Sequence, residues 1–233
     1  MIREVINMAV ILVYNNDTNQ MERYERAENQ MMPYIYNNSL TVNEFRGSSN
    51  ANTLWTDKRT MENWSRFRDY YGSPIFVGFA FKRIWEGGHS NQSQHYAGKA
   101  LDTGQNLGPA EVNRLRQSAI NSGLWNYVEP AFLAPTWVHV DTRNMNPACA
   151  SGYPLVRLGD VGNYVLILQD ALNALGYTGA GLDGVFGAGT QAAVRRFQQS
   201  NGLPADGVVG CMTWTQLTQA AKGIGLTSTV INP

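Results

Sequence analysis

The longest uninterrupted apolar run spans residues 8–14 and ends at once in Asn15, Asn16 and Asp17. It is far shorter than the roughly 20 residues of a membrane helix, so it predicts an early strand. One arginine precedes it and no small-residue cleavage site follows, so no secretory signal is legible. Further on, Met61, Trp64, Phe67 and Tyr71 recur at helical spacing behind Thr56 and Asp57, which can cap a helix. Gly72-Ser-Pro74 is punctuation, and residues 74–81 form a short apolar run of strand type. Pro109 opens a second helix with Val112, Leu115 and Ala119 on one side and Gly123 at its end. In the strand 137–141, His139 and Asp141 share a face.

Beyond that strand the periodicity lapses into Asn144-Met-Asn-Pro-Ala-Cys-Ala-Ser-Gly-Tyr-Pro154, whose composition is that of a linker. Downstream, Val161, Val165, Leu168, Leu172 and Leu175 fall on one helical face before Gly176. A second helix is predicted from Thr190, with Val194 and Phe197 inward and an end by Gly202. A third is predicted from Thr213, related to Gln216 as in a capping box, with Trp214 and Leu217 buried. The segments between these helices repeat one pattern, Asp183-Gly-Val-Phe-Gly-x-Gly-Thr190 and Asp206-Gly-Val-Val-Gly-x-x-Thr213. Glycine after aspartate permits a tight turn, and the closing threonine can cap the next helix. The division expected is an N-terminal domain over 1–146, a linker over 147–154 and a three-helix module over 155–222. Helices and strands come in separate blocks in the first part. The fold class is therefore α+β with a small antiparallel sheet, followed by a C-terminal three-helix bundle.

The 233 residues carry 18 basic and 18 acidic side chains, and charged residues are only 15% of the chain. That balance excludes a strongly basic nucleic-acid binder and a polybasic membrane-surface protein. Cys149 and Cys211 are too few for a disulfide framework and lack metal-finger spacing, and their pairing is not legible from sequence.

The ordered elements of the C-terminal part, from Gly159-Asp-Val-Gly162 through Val165-x-x-Leu-Gln169, the two Asp-Gly turns and Thr213-Trp214, resemble the peptidoglycan-binding domain type 1 over residues 155–219. That resemblance implies a non-catalytic module that targets the cell wall.

The chain has three histidines, and two stand in informative company. Ser93-x-His95-x-x-Gly98-x-Ala100-x-Asp102 sets an imidazole and a carboxylate seven residues apart, with a glycine that can turn the chain and a small alanine between them. If His139 lies on a strand beside Asp102, two nitrogens and one oxygen converge, a three-ligand set for one Zn²⁺ with a position left for water. His89, in Glu86-Gly-Gly-His89, reads as a loop residue at the mouth of the site rather than a ligand.

That motif, followed by Trp137-x-His139, resembles the zinc D-alanyl-D-alanine carboxypeptidases, a family that includes vancomycin-resistance dipeptidases, phage endolysins and the hedgehog signalling fold. The resemblance covers residues 40–143 and implies His95, Asp102 and His139 as zinc ligands. Many members carry a catalytic carboxylate three residues before the last histidine, where this chain has Thr136. The candidate general base is therefore Asp141, with Glu129 and Glu86 in reserve; Asp141 can equally orient a ligand histidine or pair with Arg143. A cation is expected on the strand before the motif, to hold a substrate carboxylate or oxyanion. Lys82 and Arg83 stand there, and Ser93 is a further substrate-binding candidate.

Together the two resemblances imply a monomeric, zinc-dependent peptidoglycan hydrolase, extracellular or wall-associated. It would cut the D-Ala-D-Ala bond or a neighbouring stem-peptide or cross-link bond. The second module would raise the effective concentration of the site at an insoluble substrate. The alternative is a non-catalytic wall-binding protein with a structural or degenerate zinc site.

Overall fold

The computed structural model describes residues 8–149 and 152–225, which form a mixed α+β structure. The apolar run becomes β1 (Met8–Asn15), the centre of a three-stranded sheet between β2 (Gln20–Ala27) and β3 (Thr53–Asp57). β1 pairs antiparallel with β2 and parallel with β3, so this sheet is mixed. Its central strand buries Ala9, Ile11, Leu12 and Val13, and both faces are covered, which is why it reads as a continuous apolar run. β2, with Glu22, Arg23, Glu25 and Arg26, is a charged edge strand that no apolar alternation announces.

A short helix, α1 (Val42–Arg46), precedes β3, and α2 (Lys58–Tyr71) follows it without a break. Asp57 caps α2, its Oδ1 accepting from Thr60 N at 2.7 Å, and Gly72 ends it in the left-handed conformation at φ +73°. The second sheet is antiparallel throughout, in the order β4 (Val77–Phe79), β5 (Ala100–Thr103), β7 (Val138–Asp141), β6 (Tyr127–Val128). Between its strands, α3 (Pro109–Ser122) begins at its proline and ends at Gly123, as the sequence predicts.

The C-terminal helices are α4 (Asn163–Ala174), α5 (Ala188–Ser200) and α6 (Cys211–Ala221), with α4 packed on both others. α5 and α6 start earlier than the threonine caps predict, with Gly187 and Gly210 at their N-caps. Thr190 and Thr213 instead lie one turn inside, where their hydroxyls accept from buried Gln169 and Gln198 at 3.1 Å each. Each glutamine reads one copy of the repeated turn. Gln169 Oε1 accepts from Gly184 N while its amide donates to Asp183; Gln198 Oε1 accepts from Gly207 N while its amide donates to Asp206. The repeat thus encodes a glutamine-clamped turn, and the threonines complete the clamp.

The apolar cores do not stop at residue 146. One cluster joins Leu166 and Leu182 to the core of the first sheet, and the other joins Ile84, Tyr96 and Ala97 to the C-terminal helices. Arg83 enters from the 3₁₀ turn Ile84–Glu86 and pairs with Asp170 of α4, both nearly inaccessible at 1% and 2%. Its guanidinium lies over Trp55 and Trp85, and Trp85 Nε1 also donates to Asp170 at 3.2 Å. The segment read as a linker is pinned on both sides. Cys149 is bonded to Cys211 at the start of α6, and Tyr153, fully buried, donates its hydroxyl to Ser93 O at 2.7 Å.

A buried ion pair that loses one partner leaves an uncompensated charge, which costs about 3–5 kcal/mol. Asp170→Ala is therefore expected to lower the free energy of unfolding by about that amount. The double replacement Arg83→Met with Asp170→Leu should recover most of it. Urea denaturation of the three chains measures both effects.

Candidate metal centre

β5 and β7 pair in a register that sets Asp102 opposite His139 and Ala100 opposite Asp141. Facing residues of an antiparallel pair lie on one side of the sheet, so Asp102, His139 and Asp141 share a face. His95 arrives from the loop before β5, and that loop is held by β3. Trp55 Nε1 donates to Tyr96 O at 2.8 Å, and Thr56 Oγ1 donates to Gly98 O at 2.7 Å. Gly98 must be glycine: its φ is +64°, and a Cβ there would come within 1.8 Å of Trp55 O.

The three expected ligands converge, one donor atom from each lying within 4.8 Å of the others. His139 Nδ1 is 2.7 Å from Asp102 Oδ1, and His95 Nε2 is 3.3 Å from Asp102 Oδ2. The outer ring nitrogens are already committed. His95 Nδ1 lies 2.9 Å from Ala80 O, which only accepts, so Nδ1 carries a proton and Nε2 is the nitrogen turned toward Asp102. His139 Nε2 lies 3.0 Å from Asp141 Oδ2 and donates there, which turns Nδ1 to the same point. Two oriented imidazoles and one carboxylate fit a zinc ion by donor type, and the outer partners set the tautomers as in metal sites generally.

Without metal, protons take the place of the cation. Burial by itself would lower the pKa of His139, but the hydrogen bonds it donates to Asp102 and Asp141 outweigh it and raise it to about 9. Burial would raise Asp102, yet His139 and His95 hold it well below the usual carboxylate range.

The cleft around these ligands has a volume of about 450 Å³ and is lined by Ser93, Glu129, Trp137 and Arg143 as well as the ligands. His89 belongs to its wall too, its ring centroid 4.6 Å from that of His95 and 4.3 Å from that of Phe79. Burial and the neighbouring His95 push its pKa down to about 4, so it is neutral in ordinary buffers. All three histidines of the chain therefore meet here, although the loop position of His89 did not suggest contact with a ligand.

Several expected site residues stand elsewhere or are otherwise engaged. Arg83 does not reach the cleft, because Asp170 holds it between the modules. Glu86 is outside as well, its carboxylate accepting from Ser49 Oγ, Asn50 N and Arg83 N at 2.7 to 2.8 Å. Lys82 lies beside the His89 loop, close enough for its charge to act on that imidazole. Ser93 is on the cleft wall, and its Oγ accepts from His95 N at 3.3 Å. Asp141 is fully buried; Arg143 donates to its Oδ1 from both backbone N and Nε at 2.9 Å, and Arg143 Nη2 donates to Oδ2 at 2.5 Å. Glu129 lines the cleft, tied to β7 by its backbone N donating to His139 O at 3.0 Å. Thr136 is exposed.

Residues 161–217 match the family model described as "Putative peptidoglycan binding domain", so the chain carries a peptidoglycan-binding domain. The zinc D-Ala-D-Ala carboxypeptidase of Streptomyces albus G is 32% identical over 117 residues, 48% of this chain and 45% of its own. A spore cortex-lytic enzyme of Bacillus cereus is 41% identical over 68 residues, 29% of this chain and 26% of its own. The crystal structure of the SleB N-terminal domain is similar at 41% identity, covering 29% of this chain and 93% of that one, with a TM-score of 0.29. The chain spans less than two thirds of the length of these curated relatives.

A zinc ion taken up by these three residues would have to displace the proton held between His139 and Asp102. Its apparent affinity should therefore rise about tenfold per pH unit between pH 6.5 and 9 and then level, with about one proton released per zinc near pH 7.5. Calorimetry in buffers of different ionisation enthalpy reads both numbers. The metal-free chain shows the reverse trend. The raised pKa of His139 contributes stability that is fully present below about pH 6.5 and is lost as the pH climbs through about 9.

Proposed function

We propose that the chain is a zinc-dependent peptidoglycan hydrolase that cuts the D-Ala-D-Ala bond or a neighbouring stem-peptide or cross-link bond. The observation that carries this reading is the convergence of His95 Nε2, Asp102 and His139 Nδ1, each histidine oriented by a fixed acceptor on its outer nitrogen. The peptidoglycan-binding domain beside it supplies the substrate class, and the similarity to a protein named zinc D-Ala-D-Ala carboxypeptidase supports the metal and the bond. No described helix is long and apolar enough to cross a membrane, and wall association follows from the binding domain.

A zinc ion bound by these three residues supplies a Lewis acid that polarises a carbonyl and lowers the pKa of water. The protein's own groups carry the remaining work. Asp141 holds His139 in its ligating tautomer and is itself neutralised by Arg143, so it is a positioning residue rather than the base. Glu129 is the carboxylate left on the cleft wall to take a proton from the attacking water and return it to the leaving amine. Lys82 is the cation available to receive a substrate carboxylate at the His89 side. His89, neutral and packed on His95 and Phe79, closes the cleft without adding charge.

Incubation of purified muropeptides with the protein and Zn²⁺, followed by mass spectrometry, tests the reading, because the lost mass identifies the bond. Glu129→Gln should retain zinc and lower turnover by about 10²-fold or more. Asp141→Asn should instead weaken zinc binding by roughly 10- to 100-fold, with turnover recovering at saturating metal. Metal content and rate are measured on the same samples. Intact muropeptides at full zinc occupancy would favour a wall-binding protein whose metal site is structural.

A further inference from the structure

The loop that carries His95 belongs to no helix or strand; it lies between the 3₁₀ turn Ile84–Glu86 and β5. Its own backbone closes only tight turns, with Tyr96 N donating to Ser93 O, Ala97 N to Gln94 O and Gly98 N to His95 O. Bonds of such short range shape a loop locally but leave its place against β5 and β7 to whatever grips it from outside. Those outside grips come from both parts of the chain.

β3 supplies two of them, at Tyr96 O and Gly98 O. The C-terminal part supplies four. Tyr153 N donates to Gln92 Oε1 at 2.9 Å and its hydroxyl to Ser93 O at 2.7 Å, Tyr164 donates its hydroxyl to Gln94 Oε1 at 3.0 Å, and Asn163 Nδ2 donates to Ala97 O at 2.6 Å. His95 stands between these anchors, with Gln92, Ser93 and Gln94 before it and Ala97 after it. Tyr153 and Asn163 are 0% and 3% exposed, so water does not readily replace a bond that either one loses. Gly152, next to Tyr153, lines the metal cleft, and a Cβ there would come within 2.3 Å of Gln92 Oε1. The chain leading into the C-terminal helices is thus part of the cleft wall.

A metal site tolerates ligand displacements of only about 0.2 Å, so a loop with one grip released presents its imidazole poorly. We propose that Tyr153, Asn163 and Tyr164 are positioning residues of the metal centre: they hold the His95 loop in place, and the affinity for zinc is set in part by residues of the C-terminal part that are not ligands. The two parts then form one functional unit rather than a catalytic domain with a separable anchor. Because coupling is reciprocal, metal at the centre tightens the docking of the C-terminal part by the same factor. The proposal rests on the zinc reading above, and part of its test needs no metal.

Two near-isosteric deletions of one buried hydroxyl separate this role from general stability. Tyr153→Phe removes the donor to Ser93 O and keeps the ring against Trp214; Thr213→Val removes an acceptor of Gln198 and bonds no residue of the loop. On the metal-free full chain, hydrogen exchange at the Tyr96, Ala97 and Gly98 amides should quicken about tenfold in Tyr153→Phe and in Asn163→Ala, and should not change in Thr213→Val. Calorimetry should show zinc affinity about tenfold weaker in the first two variants and unchanged in the third. Unaltered exchange in both loop variants overturns the proposal. Quickened exchange with unaltered zinc affinity also overturns it, since the contacts would then be structural only, and so does an equal loss of affinity in Thr213→Val. If the wild-type chain takes up no zinc, the metal reading itself falls, while the exchange rates still decide whether the C-terminal part holds the loop.

Discussion

The arrangement depends on one carboxylate held between two imidazoles. Asp102 stands opposite His139 because β5 and β7 pair in a single register, and a slip of one residue would send His139 and Asp141 to the other face. His95 reaches the same point only because its loop is drawn against β3, where Gly98 passes too close to Trp55 O for any side chain. Trp55 is itself fully buried in the core of the first sheet. The ligand geometry is thus set by packing of the whole N-terminal part rather than by the motif alone.

The same packing reaches into the C-terminal helices. Arg83 sits one residue from Lys82, but adjacent residues of extended chain point to opposite sides. One stays near the His89 loop, and the other is buried against Asp170. With Tyr153 under Ser93 and the Cys149–Cys211 bond, the wall of the metal cleft is supported from the binding domain. Such contacts do more than tether. They join the two parts through buried contacts.

Charge in the centre is arranged so that each group answers another. Arg143 neutralises Asp141, Asp141 polarises and orients His139, and Asp102 faces both ligand histidines. This chain of partners leaves Asp141 little freedom to exchange protons with a substrate and leaves Glu129 as the carboxylate on the open wall. The neighbouring His89, held neutral, adds no further positive charge beside His95, Asp102 and His139.

Much of this was legible along the chain. Helix α2 is announced by Asp57 and Gly72 and α3 by Pro109 and Gly123, because caps and turns act over a few residues. The shared face of His139 and Asp141 likewise follows from strand alternation, while His95 and Asp102 are paired in the sequence only through the family resemblance of their motif. What the tertiary structure decided is the set of partners distant in sequence: Arg83 with Asp170, Cys149 with Cys211, Glu86 with Ser49, and His89 on His95. It also recovered β2, whose charged edge carries no alternating pattern, and moved Thr190 and Thr213 from helix caps to partners of buried glutamines. Local sequence encodes which face a residue occupies; the group across from it depends on how separate segments pack, and no spacing within one segment records that.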